Sequence, residues 1–271
     1  MPLTDCAISK LLRTTLVLLF SLLAWSQTPK PGAAIAPAPR LKVAVDPGHG
    51  GDDAGAKGAK GLREKEAALA LAGDLKSALE AAGFEVLLTR EDDAFIPLWD
   101  RAKVANDAGA DLFISLHLNA AKARSAKGSE VFFLSLDQGD RDGAEVAALE
   151  NGGEGAAPAP DSVLSTILQD LAQKAYLQES ERLAVNIQFQ LNHLGGIKER
   201  GVKQAPFVVL RGAAMPAVLV EAAFISNPKE EAKLKDPVFR RKVAEAMAQG
   251  VRQFFGASQN TARRRTAGPT K

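Results

Sequence analysis

The chain has 271 residues, of which 46% are hydrophobic and 24% are charged, a composition that excludes disorder throughout and suits a globular protein with a full core. The formal net charge is only +2, and Arg263 to Arg265 with Lys271 place four positive charges at the very end. The rest of the chain is therefore slightly acidic, and no nucleic-acid partner is expected.

Residues 1–26 have the pattern of a signal peptide. Two basic residues precede an apolar run from Thr14 to Trp25, which is short for a membrane helix of roughly 20 residues. Cleavage near Ser26 is therefore favoured over a retained anchor. We expect an exported protein of the periplasm or cell envelope, with no stable membrane span after cleavage. Residues 27–40 contain four prolines and are predicted to be an extended linker.

From Leu41 onward, short apolar runs alternate with helical patterns. This alternation predicts one α/β domain over residues 41–256, with a twisted, mainly parallel sheet of about six strands and helices on both faces. The predicted strands are Val43–Val45, Phe84–Leu88, Asp111–His117, Ser129–Leu134, Phe207–Leu210 and Ala217–Val220. The predicted helices are 64–82, 97–108, 143–149, 162–175, 180–194, 227–234 and 237–255. Residues 257–271 are predicted to be a basic, unstructured tail, and contact with anionic envelope polymers is the alternative to a solvated terminus.

Three residues share one position relative to the predicted strands. His49, His117 and Glu221 each lie at or just past the carboxyl end of a buried strand. In an open, mainly parallel sheet these ends converge on one edge, where ligands bind. A single histidine after a strand is more often a hydrogen-bonded surface residue, but two of the three histidines in the chain occupy this position. The third, His193, lies near the end of a predicted helix and is interpreted as structural.

Glu64 begins the first predicted helix on the same stripe as apolar Ala68 and Leu71, so its carboxylate should point inward. The Glu64 carboxylate could either interact with the helix dipole or bind a metal ion, and the sequence leaves both roles open. Two histidines and one carboxylate form a recognised ligand set for catalytic zinc, and Cys6, the only cysteine, cannot supply a thiolate site. Glu66 falls on a solvated face. Phosphate binding by the glycine-rich loop at His49 is disfavoured, since no Gly-Lys-Ser/Thr follows it.

Several separated motifs occur in order along the predicted domain: Val45–Gly51, Gly55–Ala56, Arg63–Lys65, Leu88–Arg90, Arg101, Ala105–Asn106, Ser115–Asn119 and Val220–Asn227. In these motifs the chain resembles the zinc-dependent N-acetylmuramoyl-L-alanine amidases of the AmiC-like (amidase type 3) family. The similarity runs from about Leu41 to Phe255 and keeps the order of the family's motifs.

The resemblance implies hydrolysis of the amide between the lactyl group of N-acetylmuramic acid and L-alanine in peptidoglycan, in cell-wall remodelling or daughter-cell separation. The implied zinc ligands are His49, Glu64 and His117. Glu221 is the implied catalytic acid/base, taking the proton of water and delivering it to the departing amine. Asp46 and Asn119 are candidates for orienting the ligands, with turn capping as the alternative role.

Cell-division amidases of this family carry an insertion whose helix covers the zinc and is displaced by an activator protein. Residues 135–180 occupy the corresponding place, although their Gly-Gly-Glu-Gly and Ala-Pro-Ala-Pro stretches depart from the expected helix. Autoinhibition and an ordinary mobile insertion are both open. The carboxylates that could reach the metal are Asp137, Glu145, Glu150 and Glu154.

Two other functions compete with this interpretation. One is a catalytically silent peptidoglycan-binding or regulatory module with the amidase fold, which would be expected to lack Glu221 or a ligand. The other is a zinc peptidase that cleaves the stem peptide by the same metal chemistry. Only analysis of the products distinguishes the peptidase from the amidase.

Overall fold

The computed structural model describes residues 40–136, 141–152 and 163–266. The predicted signal peptide, nearly all of the proline-rich linker and the last five residues of the tail lie outside these ranges. Within them, no helix is both long and apolar enough to cross a bilayer.

Six strands form one sheet in the order β2-β1-β3-β6-β4-β5. The strands are β1 (Lys42–Pro47), β2 (Glu85–Leu88), β3 (Leu112–Asn119), β4 (Ser129–Leu134), β5 (Glu199–Ala205) and β6 (Ala217–Phe224). Strands β2, β1, β3 and β6 are parallel, whereas β4 runs antiparallel to β6 and β5 runs parallel to β4. The predicted α/β class with a mainly parallel sheet of six strands is confirmed.

Six helices are described: α1 (Glu64–Ala81), α2 (Leu98–Asp107), α3 (Arg141–Glu150), α4 (Val163–His193), α5 (Pro228–Lys235) and α6 (Pro237–Thr266). One face of the sheet packs mainly against α1, α4 and α6. The other face packs against α2, α3 and a short 3₁₀ turn at Val208–Leu210. The predicted covering of both faces is therefore confirmed.

Strand β3 shows how the sheet prepares the site. All eight of its residues are buried, and Leu112, Ile114, Leu116 and Leu118 belong to the core under the larger helical layer. The alternate positions face the thinner layer and begin with apolar Phe113, but continue as Ser115, His117 and Asn119. Because side chains alternate along a strand, this face changes from apolar to polar towards the carboxyl end of β3.

The fifth strand was predicted in the wrong place. The apolar run Phe207–Leu210 forms the 3₁₀ turn and buries its side chains in the second core. Strand β5 instead comprises Glu199–Ala205, a polar segment at the edge of the sheet. An edge strand has one unpaired side and tolerates charged residues, so its sequence lacks the apolar alternation by which strands are recognised.

Two helix boundaries also differ from the predictions. The helices predicted at 162–175 and 180–194 are one helix, α4, since neither glycine nor proline separates them. Helix α6 extends to Thr266, so the prediction of an unstructured segment is wrong for residues 257–266. A single internal glycine costs only about 1 kcal/mol, and the alanine, glutamine and arginine residues after Gly256 favour a helix.

Candidate active site

The loop after β1 brings His49 over the end of β3. His49 has a backbone φ of 58°, in the left-handed region that non-glycine residues rarely adopt. Gly48 lies so close to His117 that an added Cβ would be 2.5 Å from the Cε1 atom of that ring. Only glycine therefore allows the loop to cross the His117 side chain, which accounts for Gly48.

His49, Glu64 and His117 converge at the carboxyl ends of β1 and β3. The distance from Nε2 of His49 to Oε2 of Glu64 is 3.2 Å, and the distance from Nδ1 of His117 to Oε1 of Glu64 is 3.3 Å. Glu64 is held in place by the backbone N–H groups of Ala56 and Leu118, which donate to its two oxygens at 2.9 and 2.8 Å. The inward orientation predicted for Glu64 is observed.

Glu150, the last residue of α3, enters the same site. Its Oε2 atom lies 2.6 Å from Nδ1 of His117 and 3.2 Å from Nε2 of His49. Two of the four carboxylates considered in the insertion are described, Glu145 and Glu150, and of these Glu150 reaches the histidines. Glu145 lies on the exposed face of α3. Asp137 and Glu154 lie outside the described residues.

The four side chains offer ligand atoms that all lie within 4.8 Å of one another. Nε2 of His49, Nδ1 of His117 and Oε2 of Glu150 are buried, yet none has a hydrogen-bond partner of acceptable geometry among the described residues. Buried polar atoms are rarely left in this state unless an ion or water satisfies them. Two imidazole nitrogens and two carboxylates that point at a common centre fit a divalent metal ion.

Carboxylates dominate the electrostatics of the two histidines. Burial alone would lower the pKa of His49, but the nearby carboxylates of Asp53, Glu150 and Glu64 raise it to about 12. Burial likewise opposes the charged form of His117, and its carboxylate neighbours raise its pKa to about 9. The pKa of Glu64 is held far below its usual range despite burial, because both histidines contact it. The site thus stabilises positive charge, whether protons or a metal cation supply it.

Glu221 lies beside this cluster on β6, where it pairs in register with His117 of β3 and Glu130 of β4. Its side chain is fully buried, and neither oxygen has a hydrogen-bond partner among the described residues. Burial is the main cause of a pKa raised well above the usual range, and the carboxylates of Glu150, Glu64 and Glu130 add to it. Such a group is suited to hold a proton during a reaction.

Two polar residues that the sequence reasoning did not assign to the site fix the His49 loop. Oδ2 of Asp53 lies 2.8 Å from Nδ1 of His49 and so orients the ring, leaving Nε2 to point at the cluster. Arg101 is buried and donates to the His49 carbonyl at 3.0 Å and to the Pro47 carbonyl at 2.9 Å. The spacing of Asp53 four residues after His49 is a weak sequence signal, whereas Arg101 was visible only as part of the family resemblance.

The two candidates for orienting the ligands, Asp46 and Asn119, do not contact them directly. Asp46 accepts hydrogen bonds from Ser115 at 2.8 Å and from Arg101 at 3.0 Å, so it acts on His49 through Arg101. Asn119 donates its side-chain N–H to Glu130. His193 contacts the Phe189 carbonyl at the end of α4, and Glu66 is exposed.

A cleft of about 940 Å³ opens beside the cluster. Ala56, Asn119 and Leu149 border it: Ala56 donates a hydrogen bond to Glu64, Leu149 precedes Glu150, and Asn119 lies two residues after His117. Five basic residues also line the cleft: Lys57, Lys122, Arg124, Arg200 and Lys203. Helix α3 adds Asp142 and Glu145 to the lining. The cleft therefore combines five basic residues with the acidic residues of one helix.

The fold and the site together define an α/β protein with a buried histidine and carboxylate cluster that could hold a metal at one edge of a mainly parallel sheet. Residues 43–253 match the family model described as N-acetylmuramoyl-L-alanine amidase. The chain belongs to this family, and the resemblance drawn from its motifs is confirmed.

Among curated relatives, the chain is similar to N-acetylmuramoyl-L-alanine amidase AmiC of Neisseria meningitidis, with 37% identity over 87% of this chain and 58% of the relative. It is also 38% identical to N-acetylmuramoyl-L-alanine amidase AmiA of Escherichia coli, over 79% of this chain and 75% of the relative. The chain thus spans little more than half the length of the Neisseria protein.

Solved structures give the same picture. An N-acetylmuramoyl-L-alanine amidase from Clostridium difficile 630 superposes with a TM-score of 0.62 at 29% identity, covering 80% of this chain and 97% of that one. The amidase AmiC2 of Nostoc punctiforme gives 0.60 at 28% identity, with the same coverage.

Proposed function

We propose that this protein is a zinc-dependent N-acetylmuramoyl-L-alanine amidase that hydrolyses the amide between N-acetylmuramic acid and L-alanine in peptidoglycan. The observation that carries the proposal is the convergence of His49, Glu64 and His117 beside the buried Glu221, in a chain that belongs to the amidase family. Its role would be cell-wall remodelling or daughter-cell separation, and residues 1–26 would direct its export to the cell envelope.

In this proposal His49, Glu64 and His117 hold the zinc ion. Bound there, zinc supplies Lewis-acid polarisation of the scissile carbonyl and lowers the pKa of water to about 7. The chain's own residues pre-form the site, since Asp53 orients His49 and two backbone N–H groups fix Glu64. Such supporting contacts typically account for a 10- to 100-fold gain in metal affinity or activity.

Glu221 acts as the general base and then as the general acid. Its carboxylate accepts the proton of the attacking water, and the carboxylic acid delivers that proton to the nitrogen of the departing L-alanine amine. Both Glu221 oxygens lack competing hydrogen bonds among the described residues, so they are available to water and to the amine. The high pKa of the buried carboxyl favours retention of the proton between the two steps.

Glu150 closes the site in the conformation described here. A zinc ion held by three ligands needs its fourth position for water, and the Glu150 carboxylate, whose oxygen lies within 4.8 Å of the ligand atoms of the other three residues, would compete for it. Substrate can enter only when α3 moves, so α3 would act as an autoinhibitory helix and an activator protein would displace it. The poor match of the adjacent glycine- and proline-rich stretches does not affect α3, which is helical through Glu150.

The competing functions differ in their requirements. A silent binding module would be expected to lack a ligand or Glu221, and this chain has the three ligands together and Glu221 in register beside His117. A zinc peptidase would use the same residues on another amide of the stem peptide. Its products would differ from those of an amidase.

The test is mass analysis of the products from purified cell wall, with and without zinc, by the full chain and by Glu150→Ala, which relieves the proposed closure. We expect stem peptides that begin with a free L-alanine amine. Glu221→Gln should abolish product formation and still bind zinc, whereas Lys242→Gln, an exposed change on α6, should behave as wild type. Activity that survives metal removal, or fragments cut within the peptide, would refute the assignment.

A further inference from the structure

The basic cleft beside the site contains a charge arrangement that the catalytic mechanism does not use. At its floor Glu130 is fully buried, and its Oε2 atom lies 2.7 Å from Nζ of Lys203 and 3.3 Å from Nε of Arg200. Its other oxygen accepts a hydrogen bond from Asn119. One carboxylate therefore faces two cations, and one positive charge is left over.

Both cations are held rigidly at the cleft wall by β5. The Arg200 guanidinium lies over the ring of Phe224, 4.9 Å from its centroid, and Nζ of Lys203 lies 6.0 Å from the ring centroid of Phe132. The side chains of Arg200 and Lys203 are only 28% and 16% exposed. Charges that are partly removed from water interact more strongly with a ligand than freely solvated ones, so these two positions are suited to anion recognition.

Helix α3 also lines the cleft, where it supplies Asp142 and Glu145, and it supplies Glu150 to the adjoining cluster. When α3 leaves, these acids leave with it, and the basic residues of the cleft remain. The group that replaces α3 should therefore be anionic on the cleft side of the metal cluster. The N-acetylated sugars of the glycan strand are uncharged, whereas the stem peptide carries free carboxylates.

We propose that Arg200 and Lys203 determine substrate specificity by binding a carboxylate of the stem peptide, so that the peptide lies in the cleft and the glycan strand lies outside it. This inference rests on the proposed amidase function, because it assigns the two sides of the scissile amide to different surfaces. Lys122 and Arg124, at the exposed rim of the cleft, would add long-range attraction without fixing the carboxylate.

The experiment uses the full chain in the Glu150→Ala background, loaded with zinc. Two soluble muramoyl peptides are compared, one with free stem-peptide carboxylates and one in which these are converted to amides. Hydrolysis gives kcat and KM, and equilibrium binding of the two corresponding free peptides gives Kd. Variants Lys203→Met and Arg200→Gln are tested against Lys203→Arg, which keeps the charge, and Lys242→Gln, which lies outside the cleft.

We expect the parent to prefer the carboxylate substrate, and each neutralising variant to raise KM and Kd for that substrate about tenfold, the effect of one charge-assisted hydrogen bond. The amidated substrate should be unaffected, kcat should be preserved, and Lys203→Arg should keep the preference. If a neutralising variant fails to fold, the triple variant Lys203→Met, Arg200→Gln and Glu130→Gln removes all three charges, leaves none of them unpaired and gives the same comparison.

The inference would be overturned if Lys203→Met and Arg200→Gln weakened binding of both substrates equally, or if these variants kept the full preference for the carboxylate substrate. Either result would leave the amidase function intact. If the protein bound the peptide with free carboxylates selectively but hydrolysed neither substrate, the cleft assignment would be supported and the proposed reaction would be refuted.

Discussion

Replacement of Glu150 by alanine should activate the enzyme in the absence of any partner. The carboxylate is the only part of α3 that reaches the metal cluster, at 2.6 Å from His117 and 3.2 Å from His49. Two other attachments of α3 remain in the variant. Ala147 is buried in the core, and the Asn151 side chain exchanges hydrogen bonds with the Pro206 carbonyl and the Val208 N–H group at 3.1 and 2.8 Å.

The expected magnitude follows from these contacts. The contribution of the Glu150 carboxylate to closure is taken as about 1.5–3 kcal/mol, the range for contacts of charged groups, and its loss shifts the equilibrium between closed and open α3 by the same amount. The open fraction should therefore rise about 10- to 150-fold, up to the limit set by the fully open enzyme. The neutral bonds of Asn151 add about 0.5–1.5 kcal/mol each, so Glu150→Ala with Asn151→Ala should be more active than Glu150→Ala alone.

The assay is the initial rate of dye release from labelled cell wall by the purified, zinc-loaded chain. Glu145→Ala is the matched control, because it removes a carboxylate of the same helix that lines the cleft but does not contact the histidines, and it should raise the rate much less. Deletion of residues 137–175 gives the upper limit of activation. An unchanged rate in Glu150→Ala, with zinc content and folding equal to wild type, would show that α3 does not restrain the enzyme.

Three further predictions concern the support of the site. Arg101→Met should destabilise the fold by about 3–5 kcal/mol in urea denaturation, because Asp46 becomes a buried unpaired charge, and adding Asp46→Asn should recover part of the loss. Gly48→Ala should lower metal affinity about 10- to 100-fold in a zinc titration, since the new Cβ displaces His117 at a cost of about 1–3 kcal/mol; affinity equal to wild type would contradict the close approach. Burial alone would raise the pKa of Glu231, but hydrogen bonds from backbone N–H groups and a nearby lysine lower it by more. The pKa of Glu231 therefore lies below its usual range. The wild type should therefore have its full extra free energy of unfolding over Glu231→Gln at pH values above the unfolded pKa of about 4.3. This difference should shrink as the pH falls through the lower pKa of Glu231 in the folded state. A difference in unfolding free energy between wild type and Glu231→Gln that stays constant from pH 6 to pH 3 would contradict this prediction.

The strands and helices that position the ligands could be predicted because they bury regular apolar patterns. Strand β3 is apolar at five of its eight positions, and Glu64 continues the apolar stripe of α1, so the placement of His117 and Glu64 followed from these patterns. Strand β5 could not be found in this way, because its charged residues are stabilised by Glu130 and by aromatic rings from other strands. Those contacts exist only after the sheet has formed.

The same limit explains the contacts of the site that the sequence left open. Choosing Glu150 among four carboxylates requires the docking of α3 through Ala147, which is a tertiary event. Asp46 was placed close to the ligands but acts through Arg101, 55 residues later in the chain. Spacing along the sequence carries no information about such a distant pair.

The position of β5 at the end of the sheet has a consequence for solubility. An exposed strand edge is a template on which another chain can add a strand, and charged residues, lysine above all, oppose such pairing. The lysine and arginine of β5 therefore also discourage aggregation between copies of the protein, and the opposite edge, β2, is only four residues long. A variant that exchanges these cations for apolar residues in search of a new substrate would weaken that protection.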